Sequence, residues 1–88
     1  MAAYKIEFLP TAARELASLP KDAQQRIARR IDLLADDPRP AGVRAIQGSR
    51  GLLRLRVGDY RIVYRVEDDI LVVLVVKVGH RRDVYRRA

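Results

Sequence analysis

Leu52-Leu53-Arg54-Leu55-Arg56-Val57-Gly58-Asp59-Tyr60-Arg61-Ile62-Val63-Tyr64-Arg65-Val66 reads as a β-hairpin. Leu53, Leu55 and Val57 alternate with Arg54 and Arg56, the period-two pattern of a strand with one buried face. Tyr60, Ile62, Tyr64 and Val66 alternate in the same way with Arg61 and Arg65, and Gly58-Asp59 supplies a turn between them. If Val57 pairs with Tyr60 across that turn, Arg56 pairs with Arg61 and Arg54 lies opposite Val63. Directly opposed like charges are unfavourable unless solvent or an anion separates them. The arginine row therefore reads as a phosphate-binding face, with a merely solvated strand face as the plainer alternative.

Outward from the hairpin, Glu67-Asp68-Asp69 marks another turn, and Ile70–Val78 follows as a strand without alternation. Such a run fits a strand covered on both faces or central in its sheet. On the other side, residues 38–51 are rich in Pro, Gly and Ser and read as a loop. Before it, Pro20 is placed to begin a helix in which Ala23, Ile27, Ile31 and Leu34 recur at three- and four-residue steps. Asp36-Asp37-Pro38-Arg39-Pro40 stops that helix. An earlier helix over Ala12–Ser18, capped by Thr11, turns Ala12, Leu16 and Leu19 inward. The chain opens with a short strand over residues 4–9, where Tyr4, Ile6 and Phe8 alternate with Lys5 and Glu7, and Pro10 ends it. The expected fold class is α+β: an N-terminal strand, a helical hairpin and a three-stranded antiparallel meander completing one sheet, with a short C-terminal turn or helix.

Eighty-eight residues make one domain, spanning 1–88. No cysteine is present, so disulfides and thiolate metal sites are excluded. A single histidine excludes a multi-histidine metal centre, and the acids Glu67, Asp68 and Asp69 read as a solvated turn; no metal and no cofactor is expected. The first residues lack the basic and apolar regions of a signal peptide, and the apolar run Ile70–Val76 is too short to span a bilayer. A cytoplasmic protein with no membrane partner is the expectation. Residues 50–88 hold ten Lys/Arg against five Asp/Glu, a net +5 of the chain's +7. That concentration on strands, rather than along one amphipathic helix, favours a nucleic-acid partner over an anionic membrane.

Tyr4–Phe8 with the helical hairpin, the run Leu52–Tyr64, and Val76-Lys77-Val78-Gly79-His80-Arg81-Arg82-Asp83-Val84-Tyr85 together resemble the RelE/ParE toxin superfamily over nearly the whole chain, particularly its RelE-like branch. The resemblance implies the RelE-like fold and a toxin of a type II toxin–antitoxin system that cuts mRNA in the ribosomal A site. The implied partners are the ribosome, mRNA and a cognate antitoxin, a toxin–antitoxin heterotetramer being one assembly it allows. It places Arg54 at the reacting nucleotide, Arg61 and Arg81 at the scissile phosphate, and Tyr85 where a tyrosine stacks or assists proton transfer. Arg56 is a flanking basic position. An active-site lysine of the family falls at Leu52 here. A related branch poisons DNA gyrase on the same fold, and a catalytically weak binding protein also fits the missing lysine.

Cleavage without a protein nucleophile or metal requires the RNA's own 2′-hydroxyl to attack the adjacent phosphorus. Positive charge must then meet the non-bridging oxygens, a task for guanidinium groups such as Arg61 and Arg81. Arginine is too basic to accept the proton. Tyr85 and His80 are the candidates for proton transfer, His80 because imidazole titrates near neutrality. Lys77 is a further basic residue whose direction depends on strand register. Arg50, Arg56, Arg65, Lys77, Arg82 and Arg86 complete the expected RNA-binding set. Arg26, Arg29 and Arg30 read as the outer face of the second helix.

Overall fold

A computed structural model describes residues 3–80. The elements run β1 (Lys5–Phe8), α1 (Pro10–Ala17), α2 (Lys21–Leu33), β2 (Arg44–Ala45), β3 (Leu52–Val57), β4 (Tyr60–Glu67) and β5 (Val72–His80). One five-stranded sheet has the order β1-β5-β4-β3-β2, with β1 parallel to β5 and every other pair antiparallel. The α+β class, the initial strand, the two helices and the meander are as expected. The predicted C-terminal turn or helix lies outside the described residues.

The hairpin register is the one its alternation dictates: Val57 pairs with Tyr60, Arg56 with Arg61, and Arg54 with Val63. Gly58 takes the first turn position at φ +60, which an L side chain would disfavour. The inward phase of β3 and β4 meets both helices, α1 lying on β5 and α2 on β3. Ala12, Ile27, Ile31, Leu34, Leu55, Ile62, Tyr64, Val73, Val75 and Val78 form the core. The same alternation sends Arg54, Arg56, Arg61 and Arg65 to the face away from the helices.

A bulge explains the strand without alternation. Val63 pairs with Lys77 and Tyr64 with Val75, so Val76 is the extra residue on β5. The phase shifts there, and Val73, Val75 and Val78 all reach the core. Glu15 of α1 then takes over as partner beyond β1: its Oε1 accepts the Val78 N–H at 2.9 Å, and its Oε2 accepts from Lys77 Nζ at 2.9 Å.

Several boundaries differ from the sequence expectation. α1 begins at Pro10, with Leu9 as an extended N-cap, and Thr11 lies inside the helix without capping it. Proline's fixed φ and missing N–H suit the first helical position. Pro20 is itself the N-cap of α2, its carbonyl accepting from Gln24 N at 2.9 Å. Phe8 is not in the core but 36% exposed, at the end of β1, which is an edge strand of the sheet. Ile70 and Leu71 belong to the β4–β5 turn rather than the strand, and Leu71 holds φ 54. The stretch read as pure loop contains β2.

The remaining loops are pinned by polar contacts. Tyr64 donates its hydroxyl to Pro38 O at 2.7 Å, tying the segment after α2 to the core. Arg39 and Asp68 pair at 2.9 Å, and Tyr4 donates to Asp68 at 2.7 Å. Those two donors hold the Asp68 carboxyl below its ordinary range, Arg39 contributing most.

Candidate nucleic-acid interface

The face of the sheet away from the helices gathers basic side chains from three adjacent strands. Arg44 of β2 pairs with Arg54 of β3, and Arg56 of β3 pairs with Arg61 of β4. Arg44, Arg54, Arg56 and Arg61, with Gly42, line a cleft of about 240 Å³. Arg44 and Arg54 also line a neighbouring cleft of about 550 Å³, together with Ala45, Ile46 and Gln47. Among the described residues no carboxylate lines either cleft. Arg56 Nε donates to Gly58 O at 3.1 Å, which folds its side chain back along the hairpin. Arg61 is half-buried while Arg56 is exposed.

Four guanidiniums lining one cleft, with no carboxylate of the described residues among its walls, make a surface that favours an anion. Planar guanidinium forks also match the paired oxygens of a phosphate. The chemistry on offer is recognition of a phosphodiester and stabilisation of negative charge that develops on it.

Other basic residues occupy different ground. Arg65 extends the same row, pairing with Leu52 and donating from Nη2 to Arg50 O at 3.4 Å. Arg50 is exposed, and neither residue lines the two clefts. Lys77 is held by Glu15 beside α1. His80 pairs with Tyr60 across β4 and β5, and their rings meet edge to face with centroids 5.7 Å apart. Tyr60 lies in the helix-side phase, so His80 belongs to a cleft of about 280 Å³ whose walls include Glu15, Tyr60 and Lys77. The sheet separates that cleft from the arginines. Arg81, Arg82, Tyr85 and Arg86 lie outside the described residues.

Among the described residues no cluster of three or more His, Asp or Glu is arranged to hold a metal ion. None of the described helices is long and apolar enough to cross a membrane. Arg44 is the site residue that sequence reasoning missed. Its signal was the short alternation Val43-Arg44-Ala45, overshadowed by the surrounding Pro, Gly and Ser.

The sheet with its two-helix layer is a fold shared with solved toxin chains of toxin–antitoxin complexes. The family described as the ParE toxin of the type II toxin-antitoxin system parDE matches residues 6–85. Toxin RelG of Mycobacterium tuberculosis is 32% identical over 85 residues, covering 96% of this chain and 98% of that protein. The toxin–antitoxin complex RelBE2 of the same organism contains a chain that superposes with a TM-score of 0.79 at 29% identity, over 92% of this chain and 94% of that one. The archaeal RelE–RelB complex from Pyrococcus horikoshii gives 0.78 at 30% identity, over 98% and 99%. This chain belongs to the RelE/ParE toxin superfamily, with the RelE-like branch predominant among its relatives.

Proposed function

We propose that the chain is the toxin of a type II pair and cleaves mRNA on the ribosome. The 2′-oxygen attacks the adjacent phosphorus as the bond from phosphorus to the 5′-oxygen breaks. The products are a 2′,3′-cyclic phosphate and a 5′-hydroxyl end. One proton leaves the attacking hydroxyl and one is delivered to the departing oxygen. Arg61 and Arg54 grip the non-bridging oxygens and offset the charge that builds on them, while Arg44 and Arg56 hold flanking phosphates. Arg81 joins the phosphate grip and Tyr85 handles a proton or stacks on a base, as the resemblance implies. The cleft lined by Arg44, Arg54, Arg56 and Arg61 is the observation that carries this reading.

The same reading gives the chain a neutralising antitoxin, as the RelBE2 and RelE–RelB complexes are toxin–antitoxin pairs. A basic toxin suits an acidic, amphipathic partner segment.

Mapping of 5′ ends on mRNA from translating ribosomes tests the reaction. The native chain yields discrete cuts with 5′-hydroxyl ends, and Arg61→Ala reduces single-turnover cleavage by about 10²–10³, the loss seen when one transition-state donor is removed. Intact mRNA alongside blocked DNA supercoiling supports the second reading, a gyrase poison. Leu52 at the family's lysine position and the ParE description of the matched family favour that alternative.

A further inference from the structure

The larger of the two basic clefts has a wall that the phosphate chemistry leaves unused. Arg44 and Arg54 line both clefts, so the two adjoin along the sheet face. In the larger one the lining changes character, to Ala45, Ile46 and Gln47. A volume of about 550 Å³ falls within the few-hundred-Å³ range of small-molecule sites and accommodates a nucleobase with its sugar.

The segment bearing Gln47 is held in place. Ser49 N donates to Ile46 O at 3.3 Å, and Ser49 Oγ donates to the same carbonyl at 2.8 Å. Ile46 N in turn donates to Leu52 O at 3.0 Å, which extends the β2–β3 pairing by one step. Ile46–Ser49 is thus a four-residue turn in which Gly48, at φ +80, occupies the third position. Type II geometry requires a positive φ there and fixes the second position, Gln47, at the tip. Turn and sheet together present an amide beside an aliphatic side chain at the mouth of a cationic channel.

We propose that Ile46 and Gln47 form a nucleobase subsite that sets which base is accepted next to the scissile phosphate. The inference rests on the ribonuclease reading. The Gln47 amide offers a donor and an acceptor together, the pairing that reads the edge of an unstacked base. Ile46 supplies apolar contact for the base plane. Arg54, shared by both clefts, links the base position to the phosphate position, so selection of the base and placement of the phosphate are coupled.

The experiment uses the full chain and translating ribosomes programmed with mRNAs that differ only in the base flanking the cut. Native chain and Gln47→Ala are compared by single-turnover rate on each message. Gln47 is exposed on a turn, so the substitution leaves folding intact, which circular dichroism verifies. The expected result is a discrimination ratio between best and worst base that falls by about fivefold or more, the smallest effect expected of one good base contact. Gln47→Glu, which accepts but does not donate, is expected to change the order of preference rather than only flatten it. An unchanged profile in both variants, with native cleavage intact, overturns the subsite alone. Absence of cleavage by the native chain overturns the ribonuclease reading and this inference with it.

Discussion

Arg56 and Arg61 are cross-strand partners, two guanidiniums in one rung of the β3–β4 ladder. Arg44 and Arg54 repeat the relationship between β2 and β3. Like charges directly opposite each other destabilise a sheet, and no carboxylate among the described residues lines the cleft between them. A bound polyanion removes that penalty, since a ligand selective for the folded state stabilises it.

Thermal unfolding in phosphate or with a short RNA should therefore occur at higher temperature than in chloride at equal ionic strength. Arg56→Gln should shrink that difference while leaving the melting temperature in chloride unchanged or raised. Arg56 is exposed and contributes no core packing, so a lower melting temperature in chloride would show that its bond to Gly58 O outweighs the repulsion.

The hairpin was legible because period-two alternation and a Gly-Asp turn specify one register and send the arginines to one face. Less legible was anything that depended on β5. Val76 closes an apolar run, Val72-Val73-Leu74-Val75-Val76, in which nothing in the residue types marks it as the bulge. That bulge decides which of Lys77 and Val78 faces the core. It also carries His80 to the Tyr60 side, away from the arginines, a placement no local pattern encodes. Pro10 and Pro20 shifted the helix starts because proline is compatible with the cap and with the first helical position alike. Ile70 and Leu71 were apolar enough to pass for strand, yet they sit exposed in a turn. Arg44 was hidden by the brevity of β2, whose two residues show no alternation on their own.

Glu15 links α1 to the end of β5 through Lys77 and the Val78 amide, where β1 no longer pairs. Glu15→Ala removes both bonds and strands a partly buried N–H, for an expected loss of about 1–2 kcal/mol. Lys77→Met removes only the ion pair between side chains that stay about one-third exposed, and should cost well under half as much. Urea unfolding of the two variants measures the difference. Equal losses would assign the stabilisation to the ion pair rather than to the Val78 amide.

Tyr64 is fully buried, and burial pushes its phenol up to about 12 from an ordinary 10.0. Below pH 10 the phenol is protonated in both folded and unfolded chains, and its contribution is fully present. Between about 10 and about 12 the unfolded chain ionises first, so stability falls as pH rises through that window. Tyr64→Phe abolishes this dependence but leaves Pro38 O without its donor, at a cost of about 1 kcal/mol near neutrality. Stability curves of the two chains should therefore converge as the pH is raised. Parallel curves would mean that the phenol ionises equally easily in both states.

His80 and Tyr85 are the two sequence-derived candidates for proton transfer, and their expected behaviour now differs. His80 lies against Tyr60 on the helix-side cleft, with the sheet between it and the arginines. Its imidazole is poorly placed to take a proton from a hydroxyl whose phosphate sits against Arg54 and Arg61. His80→Ala should thus leave single-turnover cleavage within about threefold of native, a change that a displaced strand end accounts for. Tyr85→Phe retains the ring for stacking and removes only the hydroxyl. A loss of about 10²–10⁴ in that variant, with affinity for the ribosome retained, assigns the hydroxyl to proton transfer. Both variants should be assayed on translating ribosomes across pH. A pH dependence of the native rate that disappears in His80→Ala would return the role to the imidazole. Normal rates in both variants would leave arginine-mediated charge stabilisation and positioning as the protein's whole contribution, with solvent or the ribosome carrying the proton.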